Sequence, residues 1–271
     1  MNLTELVRLA IEEDLGQGDV TTEACVPAEA QGQARIYAKE PIVVSGHAAA
    51  AEVFRQLDCG YTVATPDGAF AGGPNDDTVA TVTGRCRDLL VGERCALNFL
   101  MSLSGIATHV RRVVAGVPGL RVVDTRKTTP LHRALEKAAV RHGGGRNHRF
   151  GLSDGVLIKD NHIVAAGGIT AAVQRARAHA HPLLRVEVEV ETLAELAEAL
   201  AAGADDVLLD NMDDDTLREA VRITAGRARL EVSGGLTRER LATIATLGVH
   251  RASMGGLIHQ ARWVDLSMRI S

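Results

Sequence analysis

Successive apolar runs in the second half of the chain end in residues able to do chemistry. Thr125, Arg126, Lys127 and Thr128 follow Val-Val-Asp, and Lys159, Asp160, Asn161 and His162 follow Val-Leu-Ile. Glu187 and Glu189 stand inside Val-Glu-Val-Glu-Val, and Asp210 and Asn211 follow Val-Leu-Leu. Ser233, Gly234 and Gly235 follow Leu-Glu-Val, and Gly255 and Gly256 follow Ala-Ser-Met. A charge inside or just beyond an apolar strand is costly unless it is paired or faces a solvated pocket. Repetition of the pattern from strand to strand therefore points to a site. Positions 121 to 162 hold nine basic residues against four acids, in a chain whose net charge is −4. Arg126, Lys127, His148, Arg149 and Lys159 are placed to converge as an anion pocket for carboxylate or phosphate. Glu136 and Lys137 are expected on an exposed helix face. Glu189 and Asp210 form an opposing carboxylate wall, suited to ribose hydroxyls or a divalent metal. The glycine turns after the last two runs suit a phosphate on backbone N–H groups. Gly143-Gly144-Gly145 is a weak signal alone and reads as well as a plain loop as it does as a phosphate turn, so no role is assigned to it. Together these residues suit a phosphorylated sugar and an acidic co-substrate.

The elements that must position them follow from the spacing. The runs LRVVDT (120–125), GVLIKD (155–160), LRVEVEV (184–190), DVLLDN (206–211), RLEVSG (229–234) and RASMGG (251–256) alternate with helical patterns near 169–180, 192–202, 214–225 and 237–247. From the third run the unit recurs about every 22 residues, which is the arithmetic of a strand plus a helix. Near-continuous Val, Leu and Ile mark strands buried on both faces, hence a parallel sheet. A complete or partial β/α barrel is predicted, with its active site at the C-terminal strand ends. Thr192 with Glu195 forms a capping box and Gly203 a stop, while Thr237 opens the next helix.

The first hundred residues read differently. A helix is predicted from Leu3 to Glu13 and another from His47 to Leu57. Strands are predicted in ARIYAKEPIVVSG, YTVATPDGAF and TVATVTGRCRDLL, with a turn at Gly72-Gly73-Pro74 inside a variable hairpin, 72–77. One or two helices are expected between Val91 and Val114. This is a separate α+β domain.

Composition narrows the function classes. A length of 271 residues suits one barrel or two modest domains. The four cysteines show no metal spacing and read as reduced thiols, as in a cytoplasmic protein. No apolar run approaches 18 residues and the N-terminus carries acids, so neither export nor a membrane span is expected. Net charge −4 and seven aromatics argue against nucleic-acid binding. Of 30 basic residues only Lys39, Lys127, Lys137 and Lys159 are lysine, which draws attention to each.

Long ordered stretches carry a resemblance. They are EDLGQGDVTT (13–22), GERCALNFLMSLSGIAT (92–108), DTRKTTP (124–130), LEKAAVRHGGGRNHRFGLSDGVLIKDNHI (135–163), EVEVET (187–192), LLDNM (208–212), EVSGG (231–235) and DLSMRI (265–270). In these the chain closely resembles the quinolinate phosphoribosyltransferases. The resemblance implies transfer of phosphoribosyl from phosphoribosyl pyrophosphate to quinolinate, giving nicotinate mononucleotide, pyrophosphate and CO2 in NAD biosynthesis, with Mg²⁺. It implies an α/β fold: an N-terminal α/β sandwich domain (1–103), an incomplete, seven-stranded β/α barrel (104–260), and a tail (261–271) returning to the first domain. It further implies a homodimer or larger assembly with each site completed by the neighbour. By position, Arg126, Arg149 and Lys159 match the quinolinate-binding basic residues, and Lys127 the motif lysine at the reaction centre. Thr125 stands beside them, and His148 falls in the matching His-Arg pair. Glu189 and Asp210 match the acids facing ribose and metal, Ser233, Gly234, Gly235 and Gly255 the phosphate-binding turns, and Arg94 the arginine that crosses the dimer interface.

The chain also departs from that pattern. Leu131-His132-Arg133 replaces the usual Gly-Leu-Arg, which leaves His132 and Arg133 without an assigned role. Ser153 and Gly155 replace an aromatic residue and Ala, and Val232 replaces Ala. Three other readings compete. A related barrel of molybdate-transport operons tends to lack the full IKDNH and LDNM signatures. A Schiff-base aldolase needs a desolvated lysine, whereas Arg126 beside Lys127 implies an anion site. A non-catalytic nucleotide-binding regulator would bind without turnover.

Overall fold

The computed structural model describes residues 2–73, 77–117 and 119–271, so the centre of the 72–77 hairpin lies outside the described residues. Two compact units are formed. One comprises Met1–Arg112, Thr128–Gly144 and Gly256–Ser271, and the other Val113–Lys127 and Gly145–Gly255.

In the first unit the strands are β1 (Gln31–Ala38), β2 (Ile42–Val43), β3 (Gly60–Val63), β4 (Phe70–Ala71) and β5 (Thr78–Arg85). Along β1, Ala34, Ile36 and Ala38 are buried in alternation, as a sheet with one covered face requires. The helix His47–Gln56 packs on β3 and on the helix Leu3–Leu15. A six-residue helix, Val20–Cys25, was not expected; Asp19 caps it, accepting from the Thr22 amide at 3.0 Å. The stretch 78–90 is not one strand. It turns helical at Cys86 and continues as a single helix, Cys86–Val114. The alternation stops at Gly84, and the i,i+3 pair Arg85–Asp88 belongs to a helical turn. This helix is long and apolar enough to cross a membrane, but 61% of its most apolar window is buried, as in a core helix.

The helix Arg133–His142 corrects a second expectation. Glu136 and Lys137 are buried, with Lys137 only 1% exposed, because the inward face of this helix carries 136, 137 and 140. Glu136 accepts from the Thr129 amide at 3.0 Å. His132 stacks on Phe99, with centroids 5.8 Å apart, and Arg133 Nε donates to Thr128 Oγ1 at 3.0 Å. The departure from Gly-Leu-Arg leaves a strained residue, for Leu131 has φ 69° and is 70% exposed. An L-residue there costs about 1–2 kcal/mol, and glycine would return about 0.5–1 kcal/mol of that in unfolded-state entropy. Leu131→Gly is expected to raise Tm by about 1–3 °C. A lower Tm in a calorimetric scan would show that the leucine contacts outweigh the strain.

The second unit holds β6 (Arg121–Val123), β7 (Val156–Ile158), β8 (Val186–Val190), β9 (Asp206–Asp210), β10 (Arg229–Ser233) and β11 (Arg251–Ser253). They form one parallel sheet in the order β6-β11-β10-β9-β8-β7. Beyond β6 a single parallel bridge joins Val123 to Arg146 and supplies a seventh, rudimentary position. This is the incomplete barrel expected from the strand–helix repeat. Helices Ile169–His179, Leu193–Ala201 and Asp214–Thr224 pack side by side along it. Thr192 and Glu195 form the expected capping box, and Thr237 accepts from the Arg240 amide. The last strand of the chain, β12 (Leu266–Ile270), pairs antiparallel with β1 in the first unit, whose sheet reads β12-β1-β5-β3.

Candidate active site

Parallel strands carry their following residues to one end of the sheet. Thr125, Arg126 and Lys127 lie just beyond β6, Lys159 beyond β7, and Gly255 beyond β11. Glu189, Asp210 and Ser233 are at the last turns of β8, β9 and β10. The Lys127 amide donates to Thr125 Oγ1 at 3.0 Å, and the Arg126 and Lys127 side chains are exposed. Asn211, at φ 56°, donates its amide to the Ser233 carbonyl at 3.1 Å and its side chain to Asp210 at 2.6 Å. Gly234 has φ 94°, and a Cβ there would come within 2.1 Å of Asn211 Oδ1. The turn after β10 must therefore be glycine for the Asp210-Asn211 turn to lie against it. Gly143, by contrast, is a packing residue of the first unit rather than a flexible loop. A Cβ there would meet the Ala107 carbonyl at 2.5 Å.

The basic and acidic sides are not separate walls. Lys159 Nζ forms an ion pair with Glu189, across adjacent strand ends. Arg149 is half-buried and its Nη1 donates to the Gly155 carbonyl at 3.1 Å. Burial and the charge of Arg126 hold the Arg149 guanidinium below its ordinary pKa. An anion bound at Arg149 would relieve that repulsion.

The segment carrying Arg149 is pinned at several points. The Arg146 amide donates to the Val122 carbonyl at 2.9 Å, and Asp124 accepts from Asn147 Nδ2 at 2.6 Å and from the His148 amide at 2.9 Å. The His148 ring turns inward, with Nε2 3.1 Å from Glu187 Oε2 and 3.5 Å from Glu231 Oε2. Arg251 binds both acids and reaches Asp206 at 3.0 Å. Arg185 and Arg229 meet Asp206 from the surface. A cavity of about 300 Å³ runs beside this cluster, lined by His148, Arg149, Gly155, Arg185 and Glu187 among others.

Burial would lower the His148 pKa, but hydrogen bonds to Glu187 and Glu231, and their charges, push it up to about 9. The Arg149 amide lies 2.8 Å from Nδ1 and competes with a second proton there. Charge decides between them. Glu187 and Glu231 share one guanidinium, and an unbalanced buried carboxylate costs several kcal/mol, whereas a neutral hydrogen bond is worth about 1 kcal/mol. The two acids therefore favour the protonated ring, and the Arg149 N–H bond to Nδ1 opposes it. The stabilising effect of the protonated ring is complete below its ordinary value of 6.5 and is lost as pH rises through about 9.

Glu231, Arg251 and Asp206 of this cluster were missed from sequence, whereas His148 and Glu187 were singled out. The available signal was an acid inside each of two apolar runs, with Arg251 opening a third. Arg94 is exposed on the helix Cys86–Val114 and belongs to the first compact unit.

Comparison with known proteins settles the family. Residues 19–104 match the N-terminal domain of quinolinate phosphoribosyl transferase, and residues 106–269 match its C-terminal domain. The chain belongs to the quinolinate phosphoribosyl transferase family. A Synechocystis relative, a probable carboxylating nicotinate-nucleotide pyrophosphorylase, is 43% identical over 96% of this chain and 90% of its own. A Bacillus subtilis relative with the same name is 40% identical over 100% and 94%. The crystal structure of NadC from Streptococcus pyogenes superposes with a TM-score of 0.94 at 39% identity, covering 99% of this chain and 96% of that one. Family membership thus extends over both compact units, and the strand-end residues stand on the family's own scaffold.

Proposed function

We propose that this protein transfers the phosphoribosyl group of phosphoribosyl pyrophosphate to the ring nitrogen of quinolinate. Nicotinate mononucleotide, pyrophosphate and CO2 are the products. The observation that carries the reading is the set Arg126, Lys127, Lys159, Glu189 and Asp210 at one end of the family's barrel, with Arg149 on the segment beside β6. Relatives named as carboxylating pyrophosphorylases, matched nearly end to end, favour it over the molybdate-operon and regulator readings.

The chemistry suits these residue types. Departure of pyrophosphate from C1 of the ribose leaves an oxocarbenium-like centre, which the Glu189 and Asp210 carboxylates stabilise. Lys127 offsets the charge growing on the leaving pyrophosphate, and the Ser233–Gly235 and Gly255 turns hold the phosphate end. Arg126, Arg149 and Lys159 grip the two carboxylates of quinolinate and aim its nitrogen at C1. Bond formation makes the pyridine ring cationic. The C2–carboxylate bond then breaks, its electron pair stays on the ring carbon beside the positive nitrogen, and a solvent proton replaces CO2. Glu189 and Asp210 offer the hard oxygen donors that Mg²⁺ takes, and Mg²⁺, when bound, supplies neutralising charge to the pyrophosphate. Incubation with both substrates and detection of nicotinate mononucleotide by mass spectrometry tests the reading; binding without product would refute it.

The same reading includes a cytoplasmic protein, the domain limits 1–103, 104–260 and 261–271, and a homodimer in which Arg94 completes the neighbour's site. Mixing inactive Arg94→Ala with inactive Lys159→Ala protein is then expected to restore activity, since one hybrid site carries both intact side chains. Absence of recovery after verified subunit exchange would sink the shared site.

A further inference from the structure

We infer that Glu231 is a positioning residue for the carboxylate-bearing substrate, acting from inside the barrel by anchoring the ring of His148. The inference rests on the quinolinate reading above. Glu231 lies at the centre of β10 with no exposed surface, between the buried Leu230 and Val232. Its Oε2 engages His148 and Arg251, while its Oε1 has no hydrogen-bond partner among the described residues. An incompletely satisfied carboxylate in an apolar strand is a costly way to fill space. What it does in that position is hold His148.

The lever is short. The segment from Arg146 to Arg149 pairs with β6 through one bridge only. Its direction depends on the Arg146 backbone bonds to β6, on Asp124 beneath the backbone and on the His148 ring. The charged groups facing that ring are Glu187 from β8, Glu231 from β10, Arg251 from β11 through the two acids, Asp124 from the end of β6, and Arg149 beside it. Arg149 is the next residue along, and its guanidinium is otherwise held by the Gly155 carbonyl at 3.1 Å, so loosening the ring leaves that bond to aim it.

The experiment compares the full-length wild type with Glu231→Gln, which keeps the shape and removes the charge. The KM for quinolinate is expected to rise about tenfold while the KM for phosphoribosyl pyrophosphate stays within twofold. In the substrate-free variant, the His148 titration read by NMR is expected to fall below the wild-type value of about 9. The quinolinate defect should therefore be larger at pH 8 than at pH 6. Equal rises in both KM values, or an unmoved His148 titration, would overturn the inference. Should Glu231→Gln fail to fold by circular dichroism, Glu187→Gln removes the other anchoring charge and is held to the same outcomes. The NMR arm needs no turnover. A wild type inactive with quinolinate would remove the functional reading and the substrate role of Glu231 with it, while the titration would still report whether Glu231 charges the ring.

Discussion

Lys127→Ala is expected to lower kcat by about 10²–10³-fold while leaving the Kd for quinolinate within a few fold. Loss of one preorganised charge aimed at developing negative charge has that size. Lys127 lies just past β6, exposed, in a turn closed by its own amide on Thr125. Among the described residues it joins no ion pair like the one that holds Lys159 to Glu189, and in the proposed reaction it meets the pyrophosphate as charge builds there. An interaction made only in the transition state lowers kcat and kcat/KM together. Stopped-assay kinetics with a separate binding titration distinguish the cases. A variant with normal kcat and raised KM would make Lys127 a binding residue.

The second large effect is on substrate choice. Quinolinate is expected to be used far better than nicotinate, by about thirty- to several-thousand-fold in affinity. Arg126 and Arg149 repel one another in the free protein, and a second carboxylate relieves that repulsion. Nicotinate offers one carboxylate fewer to Arg126, Arg149 and Lys159, and a lost charge-assisted contact costs about 2–5 kcal/mol. Phthalate-like dicarboxylates should compete with quinolinate for the same reason. Arg149→Gln should narrow the gap between the two substrates, chiefly by weakening quinolinate. Nicotinate used within tenfold of quinolinate would remove the anion-pocket argument.

Much of this was legible in the chain because parallel βα units repeat. Val186, Val188 and Val190 alternate with Glu187 and Glu189, so the faces of β8 were readable, and Thr192 with Glu195 marked the next helix. What the spacing could not show was pairing across strands. Lys159 and Glu189 are 30 residues apart in sequence and were read as opposite walls, yet they end adjacent strands. Glu231 and Arg251 looked like ordinary strand residues, because only the barrel's curvature turns them toward His148. Lys137 followed the usual rule that helix charges are solvated, and tertiary packing overrode it. The onset of helix at Cys86 was hidden by β-rich neighbours whose alternation ends only at Gly84.

The central claim is a phosphoribosyl transfer coupled to decarboxylation. The most direct measurement is simultaneous assay of CO2 and pyrophosphate from quinolinate and phosphoribosyl pyrophosphate, with nicotinate as the parallel substrate. The account predicts release of the two products in equal amounts, strictly dependent on phosphoribosyl pyrophosphate, and almost no pyrophosphate with nicotinate. Pyrophosphate without CO2, or equal turnover of nicotinate, would contradict it.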